Sequence, residues 1–172
     1  KVYDGEGISP DIEIQRQSLS QLATTLLREA FIFRYANQYA SENKAPADPA
    51  SFSLSEEEYT HFKGWLNAEG YSYVTEVEKD LEKLIENARK EKYYKDIELQ
   101  IAALKSEIKQ NKQQDLETFK PEVKALLERE IVARFHLQDG YIEASLAEDQ
   151  QVQGAINLLQ DTGRYYKMLT VH

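Results

Sequence analysis

The sequence predicts a mainly α-helical domain of about five or six helices, preceded by a short strand-and-turn segment, and three observations carry that prediction. After Ile14 the composition turns abruptly to Ala, Leu, Glu, Lys and Gln, the residues that favour helices. Apolar side chains recur at three-to-four spacing over long stretches, which puts them on one face of a helix. Ser55 with Glu58 and Thr75 with Glu78 have the spacing of capping boxes, in which each partner satisfies a backbone N–H left over at a helix start.

In chain order, Lys1 to Ile14 holds Gly5, Gly7 and Pro10 between short β-branched runs, a pattern of turn plus strand that no helix tolerates. A first helix is expected from Ser18 or Ser20, as N-cap, to about Tyr39, with Leu19, Leu22, Leu26, Ala30, Phe33 and Asn37 or Tyr39 in step. Its centre carries Phe31, Ile32, Phe33 and Tyr35 and should be covered on more than one side. Pro46 and Pro49 make 41–53 a loop or linker. Ser55 opens a short helix bearing Tyr59, Phe62, Trp65 and Leu66, ended by Gly70. Thr75 opens the next, where Val77, Leu81, Leu84 and Ala88 are followed out of register by Ile97, Ile101, Leu104 and Ile108, so a break is expected between Lys90 and Tyr94. The polar run Lys109 to Glu117 reads as an exposed face or a turn. Pro121 fits a helix start, Val123, Leu127, Ile131 and Phe135 form the following stripe, and Gly140 suits a left-handed C-terminal cap. Val152, Ala155, Ile156 and Leu159 mark a last helix before Gly163. Phe31, Phe33, Tyr35, Phe62, Trp65, Leu127, Ile131 and Phe135 are the expected core.

Length and charge narrow the function. The 172 residues carry 21 Lys plus Arg against 30 Asp plus Glu, a net charge of −9, which argues against general nucleic-acid binding because phosphate contact needs clustered positive charge. No apolar run approaches the roughly 18 residues of a membrane span. The absence of Cys removes disulfides, thiolate metal sites and cysteine nucleophiles, without fixing the redox compartment. The chain opens on Lys1 with no signal peptide and is expected to be a processed form or a piece of a longer protein.

No residue set presents a catalytic, cofactor or metal site. His61, His136 and His172 are far apart, and although Glu57 and His61 share a helix face, no further metal ligand has a matching spacing, so a solvated acidic face explains the pair better. Ser18, Ser53, Ser55 and Ser145 sit at helix starts or in loops, where capping accounts for them better than nucleophilic chemistry. Gly5 and Gly7 lack the third glycine and the helix of a dinucleotide fingerprint. The pairs Tyr93–Tyr94 and Tyr165–Tyr166 are better explained by helix contacts than by base stacking. Between Glu76 and Lys112, repulsion of Glu78, Glu82 and Glu86 is expected to be relieved by Lys79, Lys83 and Arg89, and the Val77 to Ile108 stripe offers a seam for a partner helix.

The segment Gly7-Ile8-Ser9-Pro10-Asp11-Ile12 resembles the signature near the end of the catalytic core of carboxyl-terminal processing peptidases, the tail-specific proteases. Leu27-Arg28-Glu29-Ala30-Phe31-Ile32-Phe33-Arg34-Tyr35-Ala36 and Glu128-Arg129-Glu130-Ile131-Val132-Ala133-Arg134-Phe135 are similar to the helical C-terminal extension of Bacteroidetes-type members. The resemblance implies that 1–14 close the protease core and 15–172 form a C-terminal helical domain. It implies a periplasmic parent with a Ser nucleophile, a Lys base and a PDZ domain, all upstream, so that no residue of this chain inherits a catalytic role and the isolated chain is expected to be inert. Partners would then be the parent's core and PDZ domain, its protein substrates, and a homo-oligomer or adaptor. The alternative is a stand-alone helical interaction module that binds through the Val77 to Ile108 seam.

Overall fold

Eight helices account for most of the described residues, which in this computed structural model are 11–14, 18–146 and 149–170. They are α1 (Gln21–Arg28), α2 (Phe31–Glu42), α3 (Glu56–Ala68), α4 (Glu76–Lys90), α5 (Tyr94–Thr118), α6 (Lys120–Leu146), α7 (Gln150–Gln160) and α8 (Thr162–Leu169). The expectation of five or six helices is therefore low. Of the expected strand-and-turn segment, residues 1–10 lie outside the described residues, while 11–14 run as a bend and irregular chain without a strand. A lone strand has no ladder to satisfy its backbone groups.

The expected first helix is two. Ser20 caps α1, its side chain accepting from Ala23 N at 3.1 Å and its hydroxyl donating to Glu122 of α6. The helix stops at Ala30, which adopts φ 57°, ψ 25°, and α2 restarts with a shifted phase. That shift buries Phe31, Ile32, Tyr35, Ala36 and Tyr39 and turns Phe33 outward, 49% exposed, where the Arg134 guanidinium lies 4.4 Å from the centre of its ring. Phe33 is thus not core, because one left-handed residue rotates everything after it.

The main core is built where α2 crosses α6, with α1 and α3 closing the sides. Tyr35, Tyr59, Phe62, Leu22, Leu26, Ile32, Leu127 and Ile131 are almost fully buried there, each large apolar side chain contributing about 1.5–3 kcal/mol. Trp65 and Phe135 pack on its edge half-buried, with Trp65 edge-on to Phe31 at 6.3 Å between ring centres. Both expected capping boxes form, at Ser55–Glu58 and Thr75–Glu78, and Gly70 with φ +70° ends the turn after α3. The 43–55 stretch is fastened to this core: Leu54 is 2% exposed and Phe52 packs beside it.

The helices α4 and α5 form a hairpin with its own small core of Leu81, Ile85 and Ile101, flanked by Tyr94, Ile97 and Ile108. The break between them lies where the register slip places it, with Lys92 at φ 67°. Val77, Leu84 and Leu104 of the expected seam are 59%, 48% and 45% exposed, because the α4 and α5 faces that meet are set by Leu81, Ile85 and Ile101. The run Lys109 to Glu117 continues α5 as helix.

The helix α6 is interrupted at Leu137, with φ 58° and ψ −147°. Gly140 is not the left-handed cap expected of it. It is buried inside the second half of α6, where an added Cβ would stand 2.3 Å from His136 Cβ and 2.9 Å from Val132 Cγ1, so the glycine is there for close approach. The expected last helix forms as α7, and the tail adds α8, where Asp161 accepts from Arg164 N at 3.1 Å as a cap. No helix among the described residues is long and apolar enough to cross a membrane.

Candidate functional site

Two concave regions concentrate polar groups. The first, about 210 Å³, lies between α2 and α3 and is lined by Tyr35, Gln38, Tyr39, Glu42, Asn43, Glu58 and His61. The α2 phase shift brings Tyr35 and Tyr39 to it, and the Ser55 box positions Glu58. Tyr39 donates to Glu58 Oε1 at 2.5 Å, and Ser55 N donates to Glu58 Oε2 at 2.6 Å. Tyr35 Oη stands 3.3 Å from the Glu58 carbonyl and 3.1 Å from His61 Nδ1.

The electrostatics of this cleft favour cohesion over acid–base chemistry. Burial pushes the Tyr35 phenol up to about 12, with the Glu58 charge adding to it. Burial, the hydrogen bond to Glu58 and its charge raise Tyr39 further. Burial would raise Glu58 as well, but the hydrogen bonds from Tyr39 and Ser55 outweigh it and hold the carboxyl below its ordinary value. A general base at neutral pH needs a carboxylate shifted the other way, and a phenol that keeps its proton is a poor nucleophile. The cleft ties α2 to α3.

The second region, about 630 Å³, runs along the α4–α5 hairpin, where apolar Val74, Leu81 and Ile108 line it together with Glu78, Lys79, Glu82, Lys83, Lys105 and Lys109. Lys79 pairs with Glu76 at 2.6 Å and Lys83 with Asp80 at 2.9 Å. Glu78 and Glu82 are instead neutralised from α5, by Lys112 at 2.9 Å and Lys105 at 2.7 Å. Sequence reasoning assigned that relief to α4's own cations and missed the crossing pairs, for which the Lys105 to Lys112 spacing of seven was the available signal.

The other candidate residues stay apart. Glu57 and His61 are both exposed, and among the described residues no group of three or more His, Asp or Glu is arranged to hold a metal ion. His136 Nε2 meets the Pro46 carbonyl at 2.9 Å, and His172 lies outside the described residues. Ser53 donates to Glu128 Oε1 at 3.0 Å, Ser145 to the Ile142 carbonyl at 2.7 Å, and Ser55 caps α3, while Ser18 is exposed. Tyr165 and Tyr166 meet edge-on at 5.7 Å, and Tyr94 carries the Arg89 guanidinium 4.9 Å above its ring. Glu128 is the residue that sequence reasoning most clearly undervalued. Its Oε1 also accepts from Leu54 N at 2.8 Å, so one carboxylate on α6 holds the loop that delivers Leu54 to the core.

Residues 22–159, from α1 through almost all of α7, match the family described as the C-terminal helical domain of a probable PDZ-protease. The chain belongs to that family. No curated protein and no solved structure matches it. In this PDZ-protease helical domain His61 meets Tyr35 of α2, His136 meets the Pro46 carbonyl and Ser53 meets Glu128 of α6, each joining two segments, while Ser55 caps its own helix. The match begins after the Gly7 to Ile12 segment, so the two likenesses rest on separate stretches of sequence.

Proposed function

We propose that this chain is the non-catalytic C-terminal helical domain of a periplasmic carboxyl-terminal processing endopeptidase that uses a Ser nucleophile and a Lys base in its upstream core, with a structural or regulatory role in that enzyme. The observation that carries the reading is the agreement of two non-overlapping stretches: the PDZ-protease family match over 22–159 and the tail-protease-like Gly7-Ile8-Ser9-Pro10-Asp11-Ile12 upstream of it. A Lys base works only where desolvation or a neighbouring charge lowers its pKa. Lys83 on α4, exposed and paired with Asp80 at 2.9 Å, is of the opposite kind, since that hydrogen bond holds its ammonium above the ordinary lysine value.

The rigid α2–α6 core suits a body that covers or positions the catalytic core, and the α4–α5 hairpin suits an arm that shapes access to it. Deleting Ser18 to His172 from the parent is expected to change its rate of cleavage of an unstructured protein or its oligomer size. Unchanged behaviour in both would overturn a structural or regulatory role.

A further inference from the structure

Among the described residues, the C-terminal arm is helical and only partly covered. α7 has 11 residues and α8 has 8, and neither contains a buried residue. Helices of this length are marginal in water unless an apolar face is packed. Of the 17 large hydrophobics that the described residues expose, eight fall between Leu137 and Leu169. Six of the eight come in pairs one turn apart, Ile142 with Leu146 on α6, Ile156 with Leu159 on α7, and Tyr166 with Leu169 on α8, so each helix presents a short apolar stripe. Single exposed leucines are ordinary, whereas a run of stripes on three successive helices marks an interaction surface.

The chain itself indicates the occupant. Ile14 rests against α7: a Cβ added at Gly154 would lie 2.4 Å from Ile14 Cδ1. The polypeptide upstream of the helical domain therefore arrives at this arm. Gly7 is seven residues before Ile14, so whatever folds up to the Gly7 to Ile12 segment is held within about 25 Å of Ile14 by chain length alone. A tether that short gives an effective concentration on the order of millimolar. Resting on the reading of the chain as one domain of a longer protease, we propose that the α6–α8 arm beyond Leu137 is the docking face for the parent's own upstream catalytic region, which lies against the apolar stripes and holds α7 and α8 in place.

The chain has no Cys, so single cysteines report cleanly. Leu159→Cys and, as a second site, Tyr166→Cys would be placed separately in the full-length parent and in the 172-residue chain, with Leu99→Cys on the 82%-exposed hairpin position as reference. Maleimide modification is followed by mass spectrometry of the peptide concerned. The expected result is modification at least about tenfold slower in the parent than in the chain at both arm sites, with no difference at Leu99→Cys. Equal rates at the arm sites would overturn the proposal. So would protection in the isolated chain that grows with its concentration, since the occupant would then be a second copy. Peptidase activity of the same parent separates this from the function proposed above: protection in an inactive parent overturns the protease reading and keeps the docking face, and an active parent without protection does the reverse.

Discussion

Replacing Gly140 with Ala sets two effects against each other whose sizes decide the sign. Inside a helix, Ala is favoured over Gly by about 1 kcal/mol. Gly140 has no positive φ, so backbone preference alone predicts a stabilised protein. The surroundings predict the opposite, because the new Cβ would stand 2.3 Å from His136 Cβ and 2.9 Å from Val132 Cγ1. Neither is the far end of a flexible chain. His136 Cβ is one bond from the backbone, and the His136 ring is tied to the Pro46 carbonyl at 2.9 Å, while Val132 is wholly buried. Overpacking costs about 1–3 kcal/mol, and a site this rigid belongs at the upper end. The net loss is about 2 kcal/mol, a fall of about 4–8 °C in Tm for a chain of this size. Thermal melts by circular dichroism measure it. Gly140→Asn, which a left-handed cap would accept, is expected to be at least as damaging as Gly140→Ala. An unchanged or higher Tm for Gly140→Ala would refute the close-approach argument.

Other consequences follow from the same contacts. Ala30→Gly, at an exposed position with φ 57°, is expected to raise stability by about 1 kcal/mol in urea unfolding, and a loss would mean the turn is not left-handed. Leu81→Asp should melt the α4–α5 hairpin, whose core it occupies at 5% exposure, whereas Leu104→Asp at 45% should leave helicity intact; equal tolerance would show that the hairpin does not pack as described. Glu128→Ala strips the acceptor from Leu54 N and Ser53 Oγ and should cost about 1–3 kcal/mol, with Glu128→Gln recovering part of it; a neutral Glu128→Ala would remove the loop clamp from the account. Burial and neighbouring carboxylates raise Tyr35, Tyr39, Tyr59, Tyr71 and Tyr73, so the native state holds these protons longer than the unfolded chain does. Their contribution is intact below about pH 10 and is lost as pH rises from there, so the urea midpoint should hold to about pH 10 and fall above it. An unchanged midpoint would contradict the burial of these phenols.

Local chemistry was legible where it is carried by adjacent residues. The boxes at Ser55–Glu58 and Thr75–Glu78, the stop at Gly70 and the break before Tyr94 all follow from spacing a few residues wide, and each forms. The breaks at Ala30 and Leu137 were not legible, because an alanine and a leucine in left-handed geometry leave no Gly or Pro to mark them. Missing the first put Phe33 inside instead of outside, since helical phase propagates from the break. Missing the second made Gly140 look like a cap, when the kink three residues earlier is what brings His136 against it. Contacts between distant segments were illegible for a different reason. Glu128 with Leu54, Lys112 with Glu78 and Tyr39 with Glu58 depend on how helices cross, which no window of sequence contains.

The central claim is that this helical domain serves a protease whose chemistry lies elsewhere in the parent. Peptidase activity of the full-length parent, measured beside this chain alone on an unstructured protein with an apolar C-terminus, tests it most directly. The account predicts an active parent and an inert chain. Cleavage by the isolated chain, or a parent with no peptidase activity, would contradict it.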